Sequence, residues 1–267
     1  MHKIYFFDID NTLLDHATNA IPPSALDAIA ALKRAGHTIV IATGRSYGHA
    51  EPFIKQIGPS YAITQNGSRI VKDGKEVVTI ALDKDALKNL FAWVNGQGHH
   101  YGLDDGSIAL ISSDDSCIVE LLHAVDKPLR TSTEFYVGQA VYQAWLFFDE
   151  RRDAQIFPAI LKRFPEFDLV RWHPMAVDVL PKGINKWTAC QWVMQQTGFE
   201  AHQAVAFGDG LNDLEMLQGV GFGVAMENAH PDLKAVAQRI APALHQDGIA
   251  KVLAELTQTL APSHQGV

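Results

Sequence analysis

The residues best suited to chemistry in this chain are aspartates that interrupt apolar runs. In KIYFFDIDNTLL, Asp8 and Asp10 directly follow a hydrophobic stretch, two positions apart, with Thr12 next in the same alternation. Alternation along an extended strand points Asp8 and Asp10 the same way. Further on, HTIVIATGR ends in Thr43, Gly44 and Arg45, and AVAFGDG ends in Gly208, Asp209 and Gly210, with Asp213 close behind. Each apolar run reads as a strand, and open α/β sheets bind ligands beyond the carboxyl ends of their strands. Carboxylates gathered at one such edge repel one another, so they take up protons or surround a cation. An all-oxygen ligand set favours a hard ion, and Mg2+ is held by one or two carboxylates together with waters and phosphate oxygens. The pattern therefore implies a metal and an anionic ligand. Taken singly, a DxD, a TGR or a GDG is commonplace as a turn, a helix start or a loop. Their order and their shared placement at strand ends give them weight.

The elements that must position these residues fall into three stretches. The first alternates strand and helix: Ile4–Ile9, then PPSALDAIAALKRAG as a helix capped at Gly36, then HTIVIATGR, a helix delayed or kinked by Pro52, YAITQNG as a strand, and a hairpin around Asp73-Gly74. From about residue 82 the rhythm changes. The helix DKDALKNLFAWVN, the strand SIALIS, the helix DSCIVELLHAV, the strand VYQAWLFFD and the helix RRDAQIFPAILKRF precede two closely spaced strands, FDLVRWH and MAVDVLP. Strands joined so tightly pair antiparallel. The strand–helix rhythm returns with NKWTACQWVMQQTG, AVAFGDG, LNDLEML, GFGVAM and two final helices. The expected fold is therefore α/β: a doubly wound, Rossmann-like parallel sheet built from residues 1–81 and 182–267, with an inserted α+β domain at 82–181.

Composition sets the outer limits. The chain has 267 residues, 47% of them hydrophobic, and a formal net charge of -8. That acidity offers no electrostatic footprint for nucleic acid or anionic lipid. No apolar run is long enough to span a bilayer and the N-terminus does not read as a signal peptide, so a cytoplasmic location is expected. The two cysteines, Cys117 and Cys190, are read as buried thiols in a reducing compartment. His99, His100 and Tyr101 are read as a solvated loop, and Trp172-His173 as a strand end.

Four motifs then resemble, in order, those of the haloacid dehalogenase (HAD) superfamily, and in particular its Cof-type branch, subfamily IIB. DIDNTLL is similar to the first motif, ATGR to the second, GINKWTA to the third and GDGLNDLEML to the fourth. The likeness covers roughly residues 1–80 and 180–255. It implies an HAD-type core with the inserted domain as a cap that reads the substrate. It also implies a Mg2+-dependent phosphatase for a small phosphorylated metabolite such as a sugar phosphate, nucleotide or cofactor, acting as a monomer or weak homo-oligomer.

Site roles carry over residue by residue. Asp8 is the nucleophile that becomes an aspartyl-phosphate, and Asp10 the general acid and base. Thr43, Gly44 and Asn212 hold the phosphoryl oxygens, and Lys186 neutralises charge there. Asp8, Asp10 (through its carbonyl), Asp209 and, from behind, Asp213 hold the metal. Lys182 is the competing lysine and reads as a solvated linker residue. Two positions depart from the family: Asn11 and Trp187 stand where glycine is usual. Asn tolerates a left-handed backbone, so the turn at Asn11 should survive. A phosphotransferase or mutase using the same intermediate is the alternative. A receiver-like signalling domain is a more distant one, disfavoured by the insertion and by Asp10.

Overall fold

The computed structural model of the chain describes residues 2–104, 109–123, 129–131 and 140–258. Parts of three expected elements, SIALIS, DSCIVELLHAV and the last helix, lie outside the described residues. The elements in chain order are β1 (Ile4–Phe7), α1 (Pro23–Arg34), β2 (Thr38–Ala42), α2 (Tyr47–Ile57), β3 (Tyr61–Thr64), β4 (Arg69–Lys72), β5 (Lys75–Thr79), α3 (Lys84–Gly96), β6 (His100–Asp104), β7 (Ala109–Ile111), α4 (Ser116–His123), β8 (Leu129–Thr131), β9 (Ala144–Phe147), α5 (Asp153–Arg163), β10 (Phe167–His173), β11 (Ala176–Pro181), α6 (Lys186–Thr197), β12 (Ala204–Gly208), α7 (Leu214–Gly219), β13 (Phe222–Met226), α8 (Pro231–Val236), β14 (Arg239–Ala241) and α9 (Gly248–Gln258). They form two compact units, one of residues 1–43, 53–62 and 190–267, the other of 44–52 and 63–189.

In the first unit the strands run in the order β14-β13-β12-β1-β2, every pair parallel. β1 sits centrally and all four of its residues are fully buried. That explains its unbroken apolar sequence, since a parallel strand covered on both faces has no polar side to show. Phe7 stacks on Phe207 of β12 with ring centroids 5.0 Å apart. Helix α1 starts on Pro23, where the missing N–H costs nothing, and buries Ala25, Ile29 and Leu32. Gly36 follows at φ 83°, the left-handed position that ends the helix.

The second unit carries the β4–β5 hairpin and a six-stranded sheet ordered β10-β11-β9-β6-β7-β8, all of whose strands lie between His100 and Pro181. Its pairs are antiparallel except β7–β8. Both faces are covered. Leu87, Leu90 and Phe91 of α3 and Ile156 and Ile160 of α5 pack with Leu146, Val177 and Val179. Ile118 and Leu122 of α4 pack with Trp145, Phe147 and Ala176. Successive residues of β9 thus enter opposite cores, the period of two that a strand imposes.

Several local expectations are corrected. Helix α2 begins at Tyr47 and runs through Pro52 without delay. Its burial of Ala50 and Ile57 outweighs one lost backbone hydrogen bond. His100 and Tyr101 belong to strand β6, and His99 is buried beside Phe148, so this is no solvated loop. Cys190 is buried but Cys117 is exposed. No helix among the described residues is long and apolar enough to cross a membrane.

Candidate active site

The sheet of the first unit delivers its aspartates one residue beyond the strands. The Asp8 amide donates to the Phe207 carbonyl at 3.1 Å, extending the β1–β12 pairing to the first carboxylate. The chain then turns: the amides of Leu13 and Leu14 both reach the Ile9 carbonyl, at 2.9 and 2.7 Å. Asn11 takes φ 54° in that turn, the left-handed backbone that asparagine tolerates where glycine is absent.

Oxygens of Asp8, Asp209 and Asp213 all lie within 4.8 Å of one another. Asp8 and Asp213 are buried and Asp209 half-buried. Two ionised carboxylates at that separation repel by about 3 kcal/mol at an effective dielectric near 20. Three cannot remain charged there without a counter-ion or protons. The donor set is oxygen only, which suits a hard divalent cation rather than a thiolate- or imidazole-seeking metal.

Neutral donors help to orient these carboxylates. The Thr12 hydroxyl, fully buried, donates to Asp209 Oδ1 at 3.3 Å. Asp213 Oδ2 accepts the amides of Asp209 and Gly210, each at 3.1 Å. Asp213 therefore shapes the loop that carries Asp209. The same packing explains Gly208, because a Cβ there would stand 2.5 Å from the Asp213 carboxyl carbon. Asn228, exposed just past β13, donates to the Asn11 carbonyl at 3.1 Å and to Asp209 Oδ2 at 3.4 Å.

The other candidate residues are placed as follows. Asp10, half-buried, pairs through Oδ1 with His16 Nε2 at 3.0 Å. Thr43 is fully buried at the end of β2, and Asn212 lies in the short turn Leu211–Asp213. Gly44 and Lys186 belong to the second unit. Lys186 opens α6 and is 1% exposed. Asn185 caps that helix, its Oδ1 accepting the Thr188 amide at 2.8 Å. Trp187, the second departure, is half-buried beside it. Lys182 is exposed and donates to Asp168 at 2.5 Å, as a linker residue would.

Three polar residues not singled out from the sequence stand out, two beside these aspartates and one in the second unit. His16 and Asn228 carry a signal in hindsight: one follows the first motif closely and the other follows a strand end, where ligand-facing residues gather. The third is Asp178 on β11, 4% exposed, which accepts from Asn66 Nδ2 at 2.8 Å and Gln143 Nε2 at 2.7 Å. Burial pushes its carboxyl up to about 7, against the hydrogen bonds of Gln143 and Asn66, the charge of Lys186 and a hydrogen bond from Trp145.

Comparison with known proteins adds an independent line. The family profile for haloacid dehalogenase-like hydrolases matches residues 5–253. A Bacillus subtilis (strain 168) protein provisionally named a phosphatase, YkrA, is 36% identical over 95% of this chain and 97% of its own. Among solved structures, a phosphatase of the superfamily from Bacteroides thetaiotaomicron superposes with a TM-score of 0.86 at 25% identity, covering 96% of each chain. A sugar phosphatase of HAD subclass IIB gives a TM-score of 0.80 at 25% identity, covering 96% of this chain and 99% of that one.

Proposed function

Given that the chain belongs to the haloacid dehalogenase-like hydrolase family, we propose that it is a Mg2+-dependent phosphatase of small phosphorylated metabolites that works through an aspartyl-phosphate on Asp8. The observation that carries this reading is the meeting of Asp8, Asp209 and Asp213 oxygens within 4.8 Å, beyond the ends of β1 and β12. Asp8, the Asp10 carbonyl and Asp209 hold the metal, and Asp213 orients Asp209 through the two amides it accepts. When bound, Mg2+ offsets the carboxylate repulsion and the charge of the phosphate.

An Asp8 oxygen attacks phosphorus, and the bond from phosphorus to the substrate oxygen breaks. Asp10 gives its proton to the departing alkoxide. It then takes a proton from the water that cleaves the acyl phosphate, releasing inorganic phosphate and restoring Asp8. His16 holds the Asp10 carboxylate in place between these steps. Thr43, the Gly44 amide, Asn212 and Lys186 hold the phosphoryl oxygens, and stabilising that charge is most of the work in phosphoryl transfer. Residues 82–181 act as a cap over the leaving group, shielding the acyl phosphate from bulk water until hydrolysis.

Phosphate release from a generic aryl phosphate tests the reading. The purified protein should turn over only with Mg2+, and Asp8→Asn should lose at least about 10³-fold in kcat. Turnover by Asp8→Asn at the rate of the parent protein would remove Asp8 from the nucleophile's role.

A further inference from the structure

Within the second unit, unfavourable arrangements concentrate on one short segment. Gln65, Asn66 and Gly67 all have positive φ, at 50°, 53° and 104°. Two consecutive non-glycine residues in the left-handed region are costly and persist only where the surroundings enforce them. Around them, Thr64 Oγ1, Gln65 Oε1, Ser68 Oγ and Gln143 Oε1 are buried without a hydrogen-bond partner among the described residues. Strain and unmet polar groups collected in one place point to a function rather than to packing.

The segment grips two things at once. Asn66 donates to Asp178 Oδ2 at 2.8 Å. Gly67 presses against the residue before Lys186: a Cβ on Gly67 would lie 2.4 Å from the Asn185 carbonyl oxygen and 3.3 Å from the Ala189 Cβ. Only glycine allows that approach. The Asn185 carbonyl in turn accepts the Thr188 hydroxyl at 2.9 Å, within the first turn of α6. The strained triplet thus ties the buried carboxylate of β11 to the start of the helix that begins with buried Lys186.

A carboxylate with neutral amide donors in this place is a poor choice for stability alone, since an apolar or amide side chain avoids the desolvation cost. The buried Lys186 ammonium, whose charge acts on Asp178, changes the balance, because each charge lowers the cost of the other. We propose that Asp178, clamped by Asn66 and Gln143, is a positioning residue for Lys186, holding its ammonium charged and aimed for the phosphoryl group. This rests on the role given to Lys186 above.

Three variants decide it: Asp178→Asn, Lys186→Met and the two combined, each measured for aryl-phosphate kinetics and for Tm in the absence of substrate. Asp178→Asn keeps the side-chain shape and should lose roughly ten- to a hundredfold in activity, mainly in kcat. Its Tm should hold or rise, whereas a purely structural aspartate would lose Tm and leave the turnover of the folded protein unchanged. Lys186→Met should lose Tm by stranding the carboxylate, and the double variant should regain it with no further fall in kcat. A dead Lys186→Met beside an Asp178→Asn that turns over normally would overturn the positioning role alone. So would losses in kcat that simply multiply in the double variant. Normal turnover by Lys186→Met would overturn the reading of the lysine itself, and the positioning role with it.

Discussion

Asp209 and Asp178 are both carboxylates that strands deliver to buried or half-buried ground, yet their surroundings differ in kind. Asp209 stands with Asp8 and Asp213 in a group whose oxygens lie within 4.8 Å. Among its donors are a hydroxyl at 3.3 Å and an exposed amide at 3.4 Å, both long and neutral. Carboxylates gathered so closely repel one another, which favours a cation or protons among them. Asp178 is a single carboxylate with two short amide bonds, at 2.8 and 2.7 Å, in the field of the protein's own Lys186. One centre gathers several carboxylates, as the proposed metal site requires. The other sets a single carboxylate among amides and the field of a lysine, as the proposed positioning role requires.

Neutralising one member of each centre should sharpen that contrast. Asp209→Asn removes a proposed metal ligand, and Mg2+-dependent turnover should fall at least about 10²- to 10³-fold, since ligand charge governs affinity at such sites. The same change relieves repulsion, so the metal-free variant should melt higher than the parent. It should also lose the rise in Tm that added Mg2+ gives the parent by mass action. A variant that keeps that Mg2+-induced rise would place the ion elsewhere.

Asp178→Asn should show the smaller effect, and in a pH-dependent way. Burial sets the folded carboxyl at about 7, against about 3.9 for an unfolded aspartate. Between those values the folded state holds a proton that the unfolded state has released. The contribution is full below about pH 4 and is lost as pH rises through about 7, an effect on the order of a few kcal/mol. The parent should therefore lose Tm relative to Asp178→Asn between about pH 4 and pH 7. Asp178 becomes the carboxylate that holds Lys186 over the same range, so the parent's advantage in kcat over Asp178→Asn should grow as pH rises through about 7; a constant Tm difference would mean that Asp178 does not titrate there.

The two centres also differ in how far they could be read from the sequence. The cluster was legible because several apolar runs that read as buried parallel strands end, in order, in aspartates, which sets them together at one sheet edge. β1 and β12 announced Asp8 and Asp209 in this way. Asp178 looked ordinary, because Val177-Asp178-Val179 alternates like a strand with one wet face. β11 is in fact covered on both sides and all six of its residues are buried. The second core, which includes Trp145, comes from α4 and β7, distant in sequence. Strand β6 was missed for a related reason: HYGLD alternates over only two apolar residues, Tyr101 and Leu103, with glycine between them, and its central place in the sheet comes from β7 and β9. Gly102 is required there, since a Cβ would meet the Leu110 carbonyl at 3.0 Å. β14 is only three residues long, Arg239–Ala241, too short for any period to register.

The finest test of the contrast is Thr12. Its hydroxyl is fully buried and donates to Asp209 Oδ1 at 3.3 Å. A hydrogen bond to a charged group is worth about 1.5–3 kcal/mol when well formed, and this one is long, so Thr12→Val should cost about 1 kcal/mol in the metal-free protein. If the hydroxyl serves mainly to aim Asp209 at the ion, the loss should be greater with Mg2+ bound than without. Mg2+ affinity should then fall by about tenfold, as for other groups that orient a metal ligand. If it merely ties the turn at Asn11 to the next strand, Tm should drop equally in both states and the affinity should stay put. Thermal melts across a Mg2+ titration separate the two, and only the first outcome fits Thr12 as a residue that aims a proposed metal ligand.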